Sequence, residues 1–266
     1  MIKLILNILS IGVWLVTAAG IPLLMGFART VHYQRPVSQI EVRPLNKHQA
    51  DFVTAEEIIT EIRRHGSADM TLHTLNNRHI EHSILLNPYV SHAKAYTTLD
   101  RRLVVNLTER VPMMRVVDVL GQWHYIDSAG AIFPVHPERL FRLLPAIGNI
   151  EAPVKLPEHA MAMATDTLHN KTYSKIHQLG KLILRDEFMR LLVDYIYVDD
   201  QQNFELIPMI GQAEVFLGQA DHLPEKVANV GAFYKNISTT ASFGLFSHIN
   251  ASFENQIVCT IKRDSI

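Results

Sequence analysis

The sequence predicts an α+β fold: a single N-terminal transmembrane helix, a small domain of order β-α-α-β-β, and a larger β domain with packed helices and a C-terminal edge strand. Three observations predict it. The N-terminus is an uncharged apolar run, a helix-capping motif follows between short alternating stretches, and the second half mixes alternating strands with two amphipathic helical segments. We place the boundaries at a tail of residues 1–3, a span of 4–28, and domains of 37–112 and 113–266.

Composition limits the class of protein. The 266 residues include 25 Lys and Arg against 26 Asp and Glu, so the chain lacks the basic surplus that is typical of nucleic-acid-binding domains. Hydrophobic residues make up 48%, which is too many for a disordered chain. The single cysteine, Cys259, cannot form an intramolecular disulfide, so the stability of the fold must come from its core.

The apolar run at the N-terminus predicts a membrane anchor. Residues 4–28 contain no charged side chain, and about 25 residues are enough to cross a hydrocarbon core of about 30 Å. The alternative is a cleaved signal peptide with its cleavage site at 17–19, but the apolar run continues well past that point. The flanking charges favour neither orientation clearly, because a large C-terminal domain can be translocated regardless of nearby charge.

Local patterns predict the elements of the first domain. Residues 39–43 alternate and indicate a strand. Thr54 and Glu57 have the spacing of a capping box, so a helix should follow them and end at Gly66 in a left-handed cap. A second helix is predicted over 78–86, just before a proline. The apolar residues expected on the buried faces of these helices are Ile58, Ile62, Ile80 and Ile84.

Two further strands complete this domain, one beginning at Val90 and one over 103–108, with a turn at 99–101 between them. In the second domain the same criteria predict an ordered series of elements. The strands are 122–126, 132–134, 144–148, 195–198, 204–208, 214–218 and one or two within 245–261, and the helices are 171–192 and 223–235.

Motifs of catalysis and of metal binding are absent from the sequence. It has no phosphate-binding glycine loop, no Gly-x-Ser-x-Gly and no cysteine pair. His79 and His82 share a helix face, but no third ligand follows from the spacing, and we interpret them as solvated. The Asp199-Asp200 pair is interpreted as a hairpin turn, and Cys259 as a buried strand residue. We therefore expect no catalytic residue, no metal and no cofactor.

A resemblance rests on segments that recur in order along the whole chain. They are HIEHSILLNPYVSHAKAYTTLDRRLVVNLTERVPMMRV, YIDSAGAIFPV, LPAIG, FELIP, EVFLG, LPEKVANVGAFYKNI and INASFENQIVC. Their order and spacing resemble the FtsQ/DivIB family of bacterial cell-division proteins, in its Bacteroidetes-type form. The resemblance implies a POTRA domain at 37–112 and an FtsQ-like β domain at 113–266. It also implies a single-pass protein of the inner membrane at the division septum, with a cytoplasmic N-terminus and a periplasmic bulk.

The resemblance further implies a non-enzymatic divisome scaffold that binds FtsB- and FtsL-like proteins and no small-molecule substrate. The partner would add an extended segment to the last strand of the β domain, expected at Ser247–Gln256. The residues expected to contact it are Ile249, Asn250, Ser252, Phe253 and Asn255. The residues expected at the hinge between the domains are Glu109, Arg110 and Pro112, the proline ending strand pairing because it lacks an amide donor.

Two other functions are compatible with the sequence. One is a membrane-anchored, POTRA-containing protein of a translocation system that binds unfolded chains. The other is a membrane-tethered enzyme, which would need a convergent set of titratable groups that the sequence does not suggest.

Overall fold

The computed structural model describes residues 12–26, 35–46, 51–65, 71, 74–153, 161–162, 171–237 and 243–262. Residues 12–26 form a helix, α1. None of the helices within the described ranges is both long enough and apolar enough to span a bilayer. The remainder of the predicted anchor, 4–11 and 27–28, lies outside the described residues.

The described chain divides into two compact units. The first contains Met1–Asn46, Val53–Leu85 and His92–Thr108, and the second contains Lys47–Phe52, Leu86–Ser91 and Glu109–Ile266.

The first unit has the predicted β-α-α-β-β order. Its elements are β1 (Gln39–Pro44), α2 (Ala55–His65), α3 (Asn77–Leu85), β2 (Val90–Thr97) and β3 (Arg102–Glu109), and the end residues Val90, Ser91 and Glu109 of these strands belong to the second unit. The three strands form one sheet in the order β1-β3-β2, and β1 runs parallel to β3.

The capping box that begins α2 is confirmed. The amide of Thr54 donates to Glu57 Oε2 at 2.9 Å, and the amide of Glu57 donates to Thr54 Oγ1 at 3.2 Å. The predicted cap at Gly66 lies outside the described residues. The four isoleucines expected on the inner faces of the helices are all buried: Ile58, Ile62, Ile80 and Ile84.

A ten-stranded mixed sheet forms the second unit. Its strands are β4 (Pro112–Val117), β5 (Trp123–Asp127), β6 (Ala131–Pro134), β7 (Leu144–Gly148), β8 (Met161–Ala162), β9 (Val193–Val198), β10 (Phe204–Pro208), β11 (Glu214–Gly218), β12 (Phe246–Asn250) and β13 (Val258–Ile261). They lie in the order β13-β12-β11-β10-β9-β7-β4-β5-β6-β8. Neighbours run parallel in β4–β7, β7–β9 and β11–β12.

Three helices contribute to the core of this sheet: α4 (Lys171–Arg185), α5 (Glu187–Leu192) and α6 (Leu223–Asn236). Alternate strand residues face the same core, among them Val116, Ile196 and Leu206, which are at most 1% exposed. Helix α4 lies close to the sheet at Gly180, where an added Cβ would come within 2.7 Å of the sulfur of Met114.

The prediction of one continuous helix over 171–192 is wrong. The helix is interrupted at Asp186, whose backbone is extended with φ −92° and ψ 119°. Its side-chain Oδ1 accepts from the amides of Phe188 and Met189 at 2.9 and 3.0 Å, so it caps a new helix instead of continuing the first.

Pro112 also differs from its predicted place. It does not end pairing at the small sheet, because β3 ends at Glu109 and Pro112 is the first residue of β4, opposite Asp127 on β5. The first position of a strand is one where the missing amide of proline is tolerated.

Candidate functional site

The C-terminal segment folds as two strands, which corrects the predicted edge at Ser247–Gln256. Strand β12 pairs in parallel with β11 on one side and antiparallel with β13 on the other, so it lies inside the sheet. The edge is β13, which has β12 as its single neighbour in the strand order.

The backbone of β13 presents hydrogen-bonding groups away from the sheet. On its inner side the amide of Lys262 donates to the carbonyl of Leu245 at 2.8 Å, and the carbonyl of Thr260 accepts from Ser247 Oγ at 3.2 Å. Because backbone groups alternate in direction along an antiparallel strand, the amide and carbonyl groups of Cys259 and Ile261 face outward. Among the described residues this margin of the sheet has no further strand.

The side chains of β13 make this edge apolar. Val258 is 47% exposed and Ile261 is 59% exposed, and the four residues of the strand carry no charge. Cys259 is half-buried opposite Ile249 and packs against the core, where burial raises the pKa of its thiol. Exposed edges without charge or proline are ready templates for pairing with another chain.

A turn of seven residues, 251–257, connects β12 to β13. Asn250 Oδ1 accepts from the amide of Ser252 at 2.9 Å and from Ser252 Oγ at 2.6 Å. The amide of Ala251 donates to the carbonyl of Phe216 at 2.8 Å, and Asn255 has a positive φ of 56°. The bonds accepted by Asn250 and the left-handed backbone of Asn255 help to reverse the chain, and the following residues return alongside β12.

The five predicted contact residues therefore have different surroundings. Ile249 is 1% exposed within the core, out of reach of a partner at the edge, and Asn250 is engaged in the turn. Ser252 is half-buried, while Phe253 and Asn255 are exposed. The sequence predicted one or two strands within 245–261 but placed the edge on the first of them, although the turn-forming residues at 252–256 separate two short apolar stretches and indicate a second strand.

The turn also borders a pocket of about 300 Å³ beside the beginning of α6. Ser252, Phe253 and Asn255 line it together with residues of the first turns of that helix. On the helix side, Lys226 Nζ donates to Asp221 Oδ1 at 2.5 Å, which lowers the pKa of that carboxyl. The pocket thus places three of the predicted contact residues next to a fixed ion pair.

Titratable groups also lie on the strands beside the edge. Glu214 on β11 is opposite His248 on β12, and Glu205 lies on β10. Burial, together with the charges of Glu214 and Asp199, raises the pKa of Glu205, and His248 opposes that shift. The three strands that precede β13 in the order of the sheet therefore carry acidic and imidazole side chains, whereas β13 itself has no charged residue.

Glu109 and Arg110 hold two chain segments to the large sheet. Glu109 is 5% exposed and its Oε2 accepts from the amide of Phe52 at 3.3 Å. Arg110 donates through Nη1 to Asp127 Oδ2 at 2.8 Å, through Nε to the carbonyl of Pro88 at 3.1 Å and through its amide to Tyr89 at 2.7 Å. The rings of Phe52 and Tyr89 are in contact, with their centroids 4.9 Å apart and their planes tilted by 30°. All of these contacts lie within the second unit.

The aspartate pair and the possible metal ligands remain to be placed in the structure. The Asp199-Asp200 turn is confirmed, because Asp199 Oδ1 accepts from the amides of Gln201 and Asn203 at 2.8 and 2.7 Å. Within the described ranges, no three His, Cys, Asp or Glu side chains are grouped so that they could hold a metal ion.

Both domains of the chain match models of known protein families. Residues 111–260 match a family model described as FtsQ/DivIB, C-terminal related, which covers more than half of the chain and includes β12 and most of β13. Residues 37–108 match a POTRA-like domain. No curated protein matches the chain.

Proposed function

Since the chain belongs to the FtsQ/DivIB family of non-enzymatic cell-division scaffolds, we propose that it binds FtsB- and FtsL-type proteins by strand addition at β13. The observation that carries this proposal is the open, uncharged edge of a ten-stranded sheet that ends in Val258–Ile261. A partner segment would form the next strand, its backbone bonding to the outward groups of Cys259 and Ile261.

Side chains at both ends of the edge would select the partner. Val258 and Ile261 are exposed and present apolar surface to alternate side chains of an added strand. The turn before Val258 carries Phe253 and Asn255, so a partner that extends beyond the strand would contact this turn and the adjoining pocket. Main-chain bonds would supply much of the affinity, and these side chains the specificity.

We also propose that residues 4–28 anchor the protein in the inner membrane, with a cytoplasmic N-terminus and the two domains in the periplasm at the septum. The uncharged apolar sequence of this segment and the membership of a divisome family support this arrangement. Glu109, Arg110 and Pro112 remain our proposed residues for the hinge between the domains.

The alternative function, a POTRA-containing binder of unfolded chains in a translocation system, has the POTRA-like match of 37–108 as its support. The match of the second domain to the FtsQ/DivIB family favours the division scaffold.

A pull-down of the full-length chain, solubilised in mild detergent, with a co-expressed FtsB–FtsL-type pair tests the proposal. Ile261→Pro removes an outward amide without removing a bond to β12, and it should abolish capture. Phe253→Lys removes an apolar contact at the turn, so it should weaken capture. It should not abolish capture, because the backbone of the edge stays intact. Leu140→Lys, at a side chain that is 73% exposed and outside the edge, is the matched control and should bind as the wild type does. Equal capture of all variants, each with an unchanged melting temperature, would show that β13 is not the binding edge.

A further inference from the structure

A pocket of about 500 Å³ lies beside the beginnings of three parallel strands, β4, β7 and β9. Its walls also include the loop before β7, helices α4 and α5, and the residue that follows β10. Three strands lie between β9 and β13 in the order of the sheet, and neither the proposed edge nor the turn at Phe253 contributes to the pocket.

Three arginines line this pocket from different elements: Arg115 from β4, Arg142 from the loop before β7 and Arg190 from α5. In the part of the chain that the structure describes, none of them forms an ion pair. Asp194 is the one acidic residue in the lining, and it lies beyond ion-pairing distance of all three. With three arginines and one aspartate, the lining of the pocket therefore carries a net positive charge.

Arg115 shows most directly that an acceptor is missing. Its guanidinium carbon lies 4.5 Å from the centroid of the Trp123 ring, so stacking on the ring holds the group in place. Its Nε atom is buried and has no hydrogen-bond partner. A buried donor that stays unsatisfied costs free energy, and stacking leaves the in-plane donors of a guanidinium available to a carboxylate.

The remaining lining is mostly aliphatic. Leu144, Leu184 and Val193 approach from β7, α4 and β9, and Met209 approaches from the segment after β10. A free phosphate or another small anion would gain nothing from these side chains. A peptide with acidic and aliphatic residues would use both the guanidinium groups and the apolar walls.

We propose that this pocket is a second interaction site, which binds a segment of a protein partner in which Asp or Glu side chains alternate with aliphatic ones. The acidic side chains pair with Arg115, Arg142 and Arg190, and the aliphatic side chains pack against the apolar walls. The proposal goes beyond strand addition at β13 and does not depend on it, because the two sites share no residue.

Fluorescence anisotropy with two labelled heptapeptides tests this site on the full-length chain in detergent. One peptide alternates Leu and Glu, and the other alternates Leu and Gln. We expect the acidic peptide to bind about tenfold more tightly than its amide counterpart, the scale of one or two partly exposed ion pairs. The double variant Arg142→Gln/Arg190→Gln should remove most of that difference, with Arg115 left as the remaining partner, and it should leave the weak binding of the Gln peptide unchanged.

Two control variants and a competition with phosphate distinguish binding in the pocket from a general charge effect, from binding at the β13 edge and from binding of small anions. Arg139→Gln removes an exposed arginine from the same loop that does not line the pocket, and it should bind the acidic peptide as the wild type does. Ile261→Pro, which disrupts the proposed β13 edge, should also leave peptide affinity unchanged. Inorganic phosphate should compete no better than chloride at equal ionic strength.

Equal affinity for the two peptides, or equal binding by wild type and the double variant, would overturn the proposal. So would displacement of the peptide by phosphate well beyond the effect of chloride, because that result would indicate a site for small anions. A loss of peptide binding in Ile261→Pro would show that the peptide binds at the sheet edge instead.

Discussion

Ile249 and Ile261 lie on adjacent strands of one antiparallel ladder and have opposite surroundings. Ile249 on β12 is 1% exposed within the core, whereas Ile261 on β13 is 59% exposed at the margin of the sheet. The penultimate strand therefore contributes to packing, and the last strand offers surface to another chain.

This difference predicts contrasting effects of the same substitution. Ile249→Ala should lower the free energy of unfolding by about 2–5 kcal/mol, because it leaves a cavity in the core. Ile261→Ala should change it by less than about 0.5 kcal/mol, as surface substitutions usually do, and should weaken capture of an FtsB–FtsL-type pair. Urea unfolding and pull-down on both variants measure the two effects. Similar losses of stability would contradict the assignment of β13 as the edge.

Elements set by local sequence could be predicted. The capping box of Thr54 and Glu57 needs only neighbouring residues, and the strand β11 follows from alternation alone. The break at Asp186 was missed because the apolar spacing on both sides of it fits one helix, while its capping bonds depend on the extended backbone at that residue.

Features that depend on distant pairing could not be predicted. Which of two C-terminal strands is the edge depends on β11 accepting β12 as a parallel neighbour, and nothing in residues 246–261 encodes that choice locally. The arginine pocket is a similar case. Arg115, Arg142 and Arg190 are far apart in sequence and meet because β4, β7 and β9 are neighbours in the sheet.

Asp186 should stabilise the fold as a helix cap. Asp186→Ala removes the acceptor for two amides at the start of α5 and should cost about 0.5–2 kcal/mol of unfolding free energy. Asp186→Asn keeps a capping oxygen and should recover most of that loss. Thermal denaturation of both variants checks this, and equal destabilisation by Ala and Asn would argue against a capping role.

Arg110 and Asp127 form a largely buried ion pair, so their contributions to stability should be coupled. Arg110→Met leaves a largely buried carboxylate without its partner, and we expect a loss of about 3 kcal/mol, the lower end for breaking a buried pair. In the double variant Arg110→Met/Asp127→Asn the loss should be smaller than the sum of the single losses. Strict additivity in a double-mutant cycle would show that the two side chains do not stabilise each other.

The pair of Asp118 and His124 predicts how stability depends on pH. Burial alone would raise the pKa of Asp118, but hydrogen bonds from His124 at 2.9 Å and from the amides of Gln122 and Leu120 lower it overall. A carboxyl whose pKa is lower in the folded state stabilises the fold above its unfolded pKa, and that contribution is lost as pH falls through the folded value.

Asp118→Asn should therefore lower the unfolding free energy at pH 7 by about 1–3 kcal/mol. The difference in unfolding free energy between wild type and variant should become smaller as the pH falls below the unfolded pKa of aspartate, about 3.9. Urea unfolding across this range measures the difference, with Glu138→Gln at an exposed carboxyl as the control. A difference that stays constant with pH would contradict the role of the ionised carboxylate.

Amide hydrogen exchange along β13 tests strand addition most directly. The full-length chain would be compared with and without a saturating FtsB–FtsL-type pair. We predict that the outward amides of Cys259 and Ile261 exchange rapidly in the free protein and become protected in the complex, while the amide of Lys262, already bonded to Leu245, changes little. Unchanged exchange at Cys259 and Ile261 in a saturated complex would contradict binding at this edge.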